Sequence, residues 1–267
     1  MKTCCLSIAL LFCSFFYSEK AAAIPKSAVL IVGNDAQDHA EGHLNSLADI
    51  FMQNGITVYK FYYPNARWSD IKAKATTCSF FIYTGHGFAN GGFDGEFGGL
   101  YINEFVHASD IAEGLHFKNR PLIIYLNACG SHGTSAGDPN DIGVIEAHKR
   151  ITDTALPFFM VGAGGYFATS GLITGFLKEF LSGKTLTDCY KSYVGDWEDI
   201  VKHKPIVSSN ALNQLYIGIS SAGSGRHILY DNGEVTITES NPKKRYYGNA
   251  YIGPLNFTVN SISQISK

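Results

Sequence analysis

The chain has 267 residues, 45% of them hydrophobic and 16% charged, with a formal charge of −2 at pH 7. This is the composition of a folded globular protein, and so balanced a charge gives no case for a nucleic-acid partner or an anionic membrane surface. Six cysteines in a chain of this length exclude a disulfide-dense scaffold.

The first segment reads as an export signal. Lys2 supplies the positive start, Cys4 to Tyr17 an apolar run, and Ala21-Ala22-Ala23 a small-residue cleavage site. The run is too short for a comfortable membrane span. Phe12 is too bulky a neighbour for Cys13 to belong to a lipoprotein box. The expectation is a signal over residues 1–23, a mature chain from Ile24, a secreted or periplasmic location, and no stable membrane insertion. Losing the signal removes Cys4, Cys5 and Cys13 and leaves Cys78, Cys129 and Cys189, so at least one thiol is free. On that count alone a Cys78–Cys189 bridge is open.

The mature chain then alternates between strand and helix patterns. Ala28 to Val32 is a continuous apolar run closed by Gly33-Asn34-Asp35, a buried strand and its turn. His39 to Gln53 carries Leu44, Leu47, Ile50 and Phe51 at helical spacing, and Gly55 ends it. Ile56 to Tyr62 reads as a second strand, Trp68 to Ala75 as a short helix, and Ser79 to Tyr83 as a third strand. The glycine-dense stretch from Gly91 to Gly99, followed by Leu100-Tyr101-Ile102, suits a tight antiparallel hairpin outside the main sheet. A short helix follows Ser109-Asp110, and Pro121 opens a fourth strand. Asp141 to Thr152 reads as helix, Leu156 to Val161 as a fifth strand, and Leu172 to Leu181 as a helix closed by Gly183. Such alternation predicts an α/β fold with a mostly parallel sheet between two helical layers. After about Lys204 the pattern changes to short alternating strands at Leu215 to Ile219, His227 to Tyr230, Glu234 to Glu239 and Phe257 to Val259. The expected organisation is an α/β domain over residues 24–203 and a small β-rich extension over 204–267.

Two strand ends carry chemistry. Phe80-Phe81-Ile82-Tyr83-Thr84-Gly85 runs into His86-Gly87, and Leu122-Ile123-Ile124-Tyr125-Leu126-Asn127-Ala128 runs into Cys129-Gly130. Chemistry in an open parallel sheet sits outside the carboxyl ends of the strands. A histidine and a cysteine delivered there by neighbouring strands form the pair that a thiol nucleophile with an imidazole partner requires.

This pair of motifs resembles the caspase-like cysteine peptidases, the group that includes caspases, metacaspases, legumains, gingipains and CHAT domains. Caspases place their histidine about 50 residues before the cysteine, and His86 and Cys129 stand at a comparable separation. Asn127-Ala128-Cys129-Gly130-Ser131 departs from the caspase cysteine pattern at both ends and is closer to the Leu-Asn-Ala-Cys wording of CHAT domains. Tyr83-Thr84-Gly85-His86-Gly87 is similar to the metacaspase histidine motif. Gly98-Gly99-Leu100-Tyr101, the helix near Asp110, and Val161-Gly162-Ala163-Gly164-Gly165-Tyr166 leading into Phe176 to Gly183 match the order of elements in CHAT and gingipain-type domains. The likeness covers about Lys26 to Tyr193.

The resemblance implies a three-layer caspase-like fold and an endopeptidase acting on peptide or protein substrates without a cofactor. It makes Cys129 the nucleophile and His86 its partner, with the backbone N–H groups of Gly87 and Cys129 as the oxyanion hole. Metacaspases carry an aspartate two residues before the nucleophile to receive a basic P1 side chain. Neutral Asn127 stands there, so that preference does not transfer. Asp35 and Asp38, in the loop after the first strand, are candidates to supply negative charge to the substrate pocket, and both a basic P1 and a non-basic one such as Asn stay open.

Other polar residues read more plainly. His107, His116, His148 and His203 are expected on the surface, as is His132, which draws interest by lying three residues past Cys129. Asp94, Glu96, Asp138 and Asp141 read as solvated loop carboxylates, and Cys78 and Cys189 as structural. Lys149-Arg150 fits a processing site or a helix surface. No His or Cys pair has zinc-ligand spacing. Two other function classes remain. An amidotransferase-like hydrolase would want glycine where Asn127 stands and its histidine after the cysteine. A catalytically silent binding module would keep the fold and use the β-rich C-terminal stretch to hold a partner.

Overall fold

The computed structural model describes residues 26–34, 36, 39–88, 90–92, 97–138, 141–195, 198–206, 215–222, 226–231, 234–239 and 246–262. The signal segment, Asp35, Asp38, Asp94 and Glu96 lie outside them.

Five parallel strands form one side of an eight-stranded sheet. They are β1 (Ser27–Val32), β2 (Thr57–Tyr62), β3 (Phe80–Thr84), β6 (Leu122–Leu126) and β7 (Gly165–Thr169). A small hairpin, β4 (Leu100–Tyr101) with β5 (Phe105–Val106), stands apart from the sheet as the glycine-dense sequence predicts. Three antiparallel strands complete the other side: β8 (Glu198–Ile206), β9 (Leu215–Ala222) and β12 (Tyr246–Gly253), while β10 (Arg226–Asp231) and β11 (Glu234–Glu239) pair only with each other. The order across the sheet is β2-β1-β3-β6-β7-β12-β9-β8. The β-rich stretch after Lys204 therefore continues the central sheet. Its last strand, β12, lies directly against β7, and Phe257 to Val259, expected as a strand, is a turn entering a 3-10 helix over Val259–Ser261.

Helices cover both faces. One face carries α2 (Trp68–Ala75), α3 (Ala108–Gly114) and α4 (Gly143–Met160); the other carries α1 (Ala40–Gln53), α5 (Thr174–Leu181) and α6 (Leu186–Val194). Strand alternation divides the core accordingly: Val29 and Ile31 of β1 point into the first layer, and Ala28, Leu30 and Val32 into the second. Large aromatic rings fill both layers. Phe81, Tyr125 and Phe158 meet on one face, with ring centroids 5.4 Å (Phe81–Phe158) and 5.8 Å (Tyr125–Phe158) apart. Phe167 stacks on Phe176 at 4.0 Å on the other. Each such ring, once buried, contributes about 1.5–3 kcal/mol.

Two expectations about regular structure are corrected. Leu156 to Val161 is no strand; residues 156–160 are the last turns of α4, and the fifth parallel strand is β7. Ala147, Ile151, Ala155 and Phe158 recur at helical spacing and are all buried, so the amphipathic stripe carries the helix onward through Pro157. A Cys78–Cys189 bridge is also excluded, because both thiols are free and they lie in core layers on opposite faces of the sheet.

Candidate active site

Strands β3 and β6 are parallel neighbours, with Thr84 opposite Leu126, so the residues just past each strand leave the sheet side by side. His86 and Cys129 both stand at this carboxyl edge. Gly87 fixes how close the two segments come. A side chain on it would overlap the Cys129 carbonyl oxygen, and its Cβ would lie 3.0 Å from the Cys129 nitrogen. The Gly87 backbone thus rests directly on the Cys129 backbone, an approach open only to glycine. His86 is exposed and Cys129 half-buried.

The histidine turn is held from below by Tyr83. Its buried hydroxyl donates to the His86 carbonyl oxygen at 2.7 Å and accepts from the Tyr101 N–H at 3.0 Å. Burial raises the pKa of this hydroxyl, so it remains a donor. The β4–β5 hairpin is tied to the histidine turn through this atom and through the Phe88 ring, which lies 5.0 Å from that of Phe105.

The cysteine turn is built on left-handed backbone. Asn127 has φ +56°, a conformation that asparagine tolerates better than other residues with a side chain, and its N–H donates to the Thr169 carbonyl oxygen at 2.9 Å. Asn127 is therefore spent partly on shaping the turn. Among the described residues, neither the Gly87 nor the Cys129 N–H is taken by a backbone carbonyl, which leaves two donors at the contact between the segments. Gly130 follows at φ +77° against the ring of Phe97.

From Cys129 to Thr134 the loop is clamped by β12. The Thr134 N–H donates to the Tyr247 carbonyl oxygen at 3.3 Å, and the Tyr247 N–H donates to Thr134 Oγ1 at 2.8 Å. His132 is buried, contrary to its expected surface place, and its Nδ1 lies 2.8 Å from the same Tyr247 carbonyl. A carbonyl only accepts, so Nδ1 carries the hydrogen. Burial pushes the His132 pKa down to about 4 against the opposing pull of the Tyr247 bond and Asp138, and the ring is neutral at pH 7.

Asp138 is likewise no solvated carboxylate. It pairs with Arg150 at 2.9 Å, and Arg150 Nε reaches Glu146 at 2.8 Å. The Arg150 guanidinium also lies 4.8 Å over the Phe97 ring. Of Lys149-Arg150, the arginine is therefore an internal strut of the cysteine loop and closed to a processing enzyme in the folded chain. His107 and His116 are exposed, as expected.

Sequence reasoning missed the far wall of the site. Tyr246, at the start of β12, has its ring 5.8 Å from that of His132; burial raises the Tyr246 pKa, Cys129 adds to the rise, and hydrogen bonding with Ser170, the residue just past β7, opposes it. Neither Tyr246 nor Ser170 belongs to a motif, and only the strand order brings them to the cysteine. Among the described residues no group of three or more His, Cys, Asp or Glu is placed to hold a metal ion, and no helix is long and apolar enough to cross a membrane. Comparison with protein-family models and with curated proteins finds no match to this chain.

Proposed function

We propose that this chain is an exported, caspase-like cysteine endopeptidase working through Cys129 and His86. The observation that carries the reading is the contact of Gly87 with the Cys129 backbone, which seats an exposed histidine beside an unbridged cysteine at the carboxyl edge of adjacent parallel strands. In this mechanism the Cys129 thiolate adds to the scissile carbonyl, and the backbone N–H groups of Gly87 and Cys129 receive the developing oxyanion. Each such donor contributes about 3–4 kcal/mol when aimed at that charge. His86 gives its proton to the departing amine as the C–N bond breaks. Water then hydrolyses the thioester, releasing the acid and regenerating the thiol. Neutral Asn127 offers a basic P1 side chain no carboxylate, and its backbone role in the turn accounts for an asparagine at that position.

The test is cleavage of a fluorogenic peptide library with varied P1 residues by residues 24–267, as wild type and as Cys129→Ala. Cleavage by wild type alone supports the peptidase and reads out its P1 preference. No cleavage by either, with reductant or calcium added, rejects it in favour of a binding module.

A further inference from the structure

We propose that Phe88, Tyr101 and Phe105 form an aromatic platform for a large apolar side chain of the substrate, within two residues of the scissile bond, with Phe105 setting the specificity; this rests on the peptidase reading of Cys129 and His86. The three rings touch one another. Tyr101 and Phe105 stack at 4.4 Å with their planes 7° apart, and Phe88 meets Phe105 at 5.0 Å with a tilt of 62°. Phe105 is nevertheless 55% exposed, and Phe88 and Tyr101 are half-buried. One exposed apolar side chain is ordinary on a protein surface, but three rings held together beside a reactive edge mark a place where something apolar is received.

The platform is continuous with that edge. Phe88 directly follows Gly87, whose backbone rests on that of Cys129, and it stands two residues from His86, a span of at most about 7 Å along the chain. Residues 97–99 join the two turns: Phe97 packs against Gly130, Gly98 pairs with Phe88, and the Gly99 carbonyl oxygen accepts from the Tyr125 hydroxyl at 3.1 Å. On the other side Asn34, just past β1, donates its N–H to the Tyr101 carbonyl oxygen at 3.0 Å and its Nδ2 to the Tyr101 hydroxyl at 2.8 Å. An extended peptide advances about 3.4 Å per residue. A scissile carbonyl seated between the Gly87 and Cys129 N–H groups therefore leaves a side chain one or two residues away within reach of the rings.

The rings are fixed in advance. Phe88 lies on bare backbone: a Cβ on Gly91 would come 2.8 Å from its ring and one on Gly99 2.9 Å, which accounts for two glycines of the dense stretch. The Tyr101 N–H donates to the Tyr83 hydroxyl at 3.0 Å, and Glu104, beside Phe105, accepts from the Trp68 N–H at 3.0 Å. The hairpin is thus pinned at both its root and its tip. His107 stands at the rim, its ring 5.4 Å from that of Phe88 at 83°. A surface already ordered loses little freedom on binding. An apolar side chain laid on it removes ring area from water, whereas a serine there gains no such burial.

The experiment measures kcat/KM of wild type, Phe105→Ala and Phe105→Leu on peptides that differ only in carrying Phe, Leu, Lys or Ser at one position within two residues of the cleaved bond. The ratio of Phe to Ser peptide is internal to each protein, so a partly unfolded variant does not imitate the effect. Wild type is expected to favour Phe and Leu over Ser about tenfold or more at one such position. That ratio should fall about tenfold in Phe105→Ala and largely survive in Phe105→Leu. A ratio unmoved by Phe105→Ala, or a wild-type preference for Lys at that position, overturns the platform. Binding separates this result from the chemistry: a fluorescein-labelled pentapeptide with Phe at its centre, and its Ser counterpart, are titrated by fluorescence polarisation into Cys129→Ala with and without Phe105→Ala. The Phe peptide should bind about tenfold more weakly once Phe105 is removed, with the Ser peptide unaffected. If that holds and wild type cleaves nothing, the platform stands and the peptidase reading falls. Cleavage indifferent to Phe105 leaves the peptidase and removes the platform, and neither binding nor cleavage removes both.

Discussion

His132 makes the cysteine loop sensitive to acid, and the size of the effect follows from its surroundings. Its folded pKa is about 4, against about 6.5 for an unfolded chain. The unfolded state therefore binds a proton that the folded state refuses, and stability falls as pH drops from about 6.5 towards 4. Above pH 6.5 both states are neutral at this position and nothing is lost; below pH 4 both are protonated and the loss is complete. A separation of 2.5 units, at about 1.36 kcal/mol each, sets the full cost near 3 kcal/mol, with about 2 kcal/mol already lost at pH 5. The assay is urea unfolding of wild type and His132→Gln at several values between pH 7.5 and 4.5. Glutamine keeps an N–H donor for the Tyr247 carbonyl but does not titrate. Subtracting the two curves removes the contribution of the carboxylates. Wild type should lose about 2 kcal/mol more than the variant between pH 7.5 and 5. Parallel curves would mean that His132 is solvated when folded, and the account of its burial would be wrong.

Three further outcomes test the rest of the site. Gly87→Ala pushes a methyl group into the Cys129 carbonyl, so kcat/KM on the best library peptide should fall on the order of a hundredfold; near-normal kinetics would contradict the packed contact. Asn127→Gly should leave the thermal midpoint close to wild type, whereas Asn127→Val, forced to φ +56°, should cost about 1–2 kcal/mol in urea unfolding. Equal stability of the two variants would remove the turn from the explanation of Asn127. Asp138→Ala leaves Arg150 with Glu146 as its charged partner but removes the bonds to Nη1, and a loss of about 1–3 kcal/mol is expected by the same method. A loss below 1 kcal/mol would show that the pair is hydrated.

The parts of this fold that could be read from the sequence are those where one local signal decides. β1, β3 and β6 are buried on both faces, so they appear as unbroken apolar runs, and the turns after β3 and β6 announce themselves by glycine. That was enough to place His86 and Cys129 at one sheet edge. Leu156 to Met160 misled because an apolar run of five at the end of a helix looks like a strand when read alone. The preceding stripe from Ala147 shows the longer period. β7 escaped for the opposite reason, since Gly165, Ala168 and Thr169 dilute its apolar signal. Nothing local marks β12 as the partner of β7, because pairing between distant strands is settled by the whole sheet. The residues delivered by that pairing, Tyr246 above all, were invisible for the same reason. His132 and Asp138 were misjudged because polarity in a loop usually means solvent, and here Arg150 and the Tyr247 carbonyl replace water.

The seating of β12 between β7 and β9 also bears on when the site comes into being. The cysteine loop is made before β12, the strand that clamps it, while β7 contributes the Tyr166 hydroxyl, which donates to the Ser131 carbonyl oxygen at 2.9 Å. During synthesis the five parallel strands can assemble while Cys129 to Thr134 still lack the Tyr247 bonds. Closing so long a stretch of chain is slow relative to local helix and turn formation. A nascent or C-terminally clipped molecule would thus carry the Cys129 loop without the Tyr247 bonds to Thr134. The fold leaves the Cys129 loop without its β12 clamp until Tyr246–Gly253 have been made, an order of assembly set by topology alone.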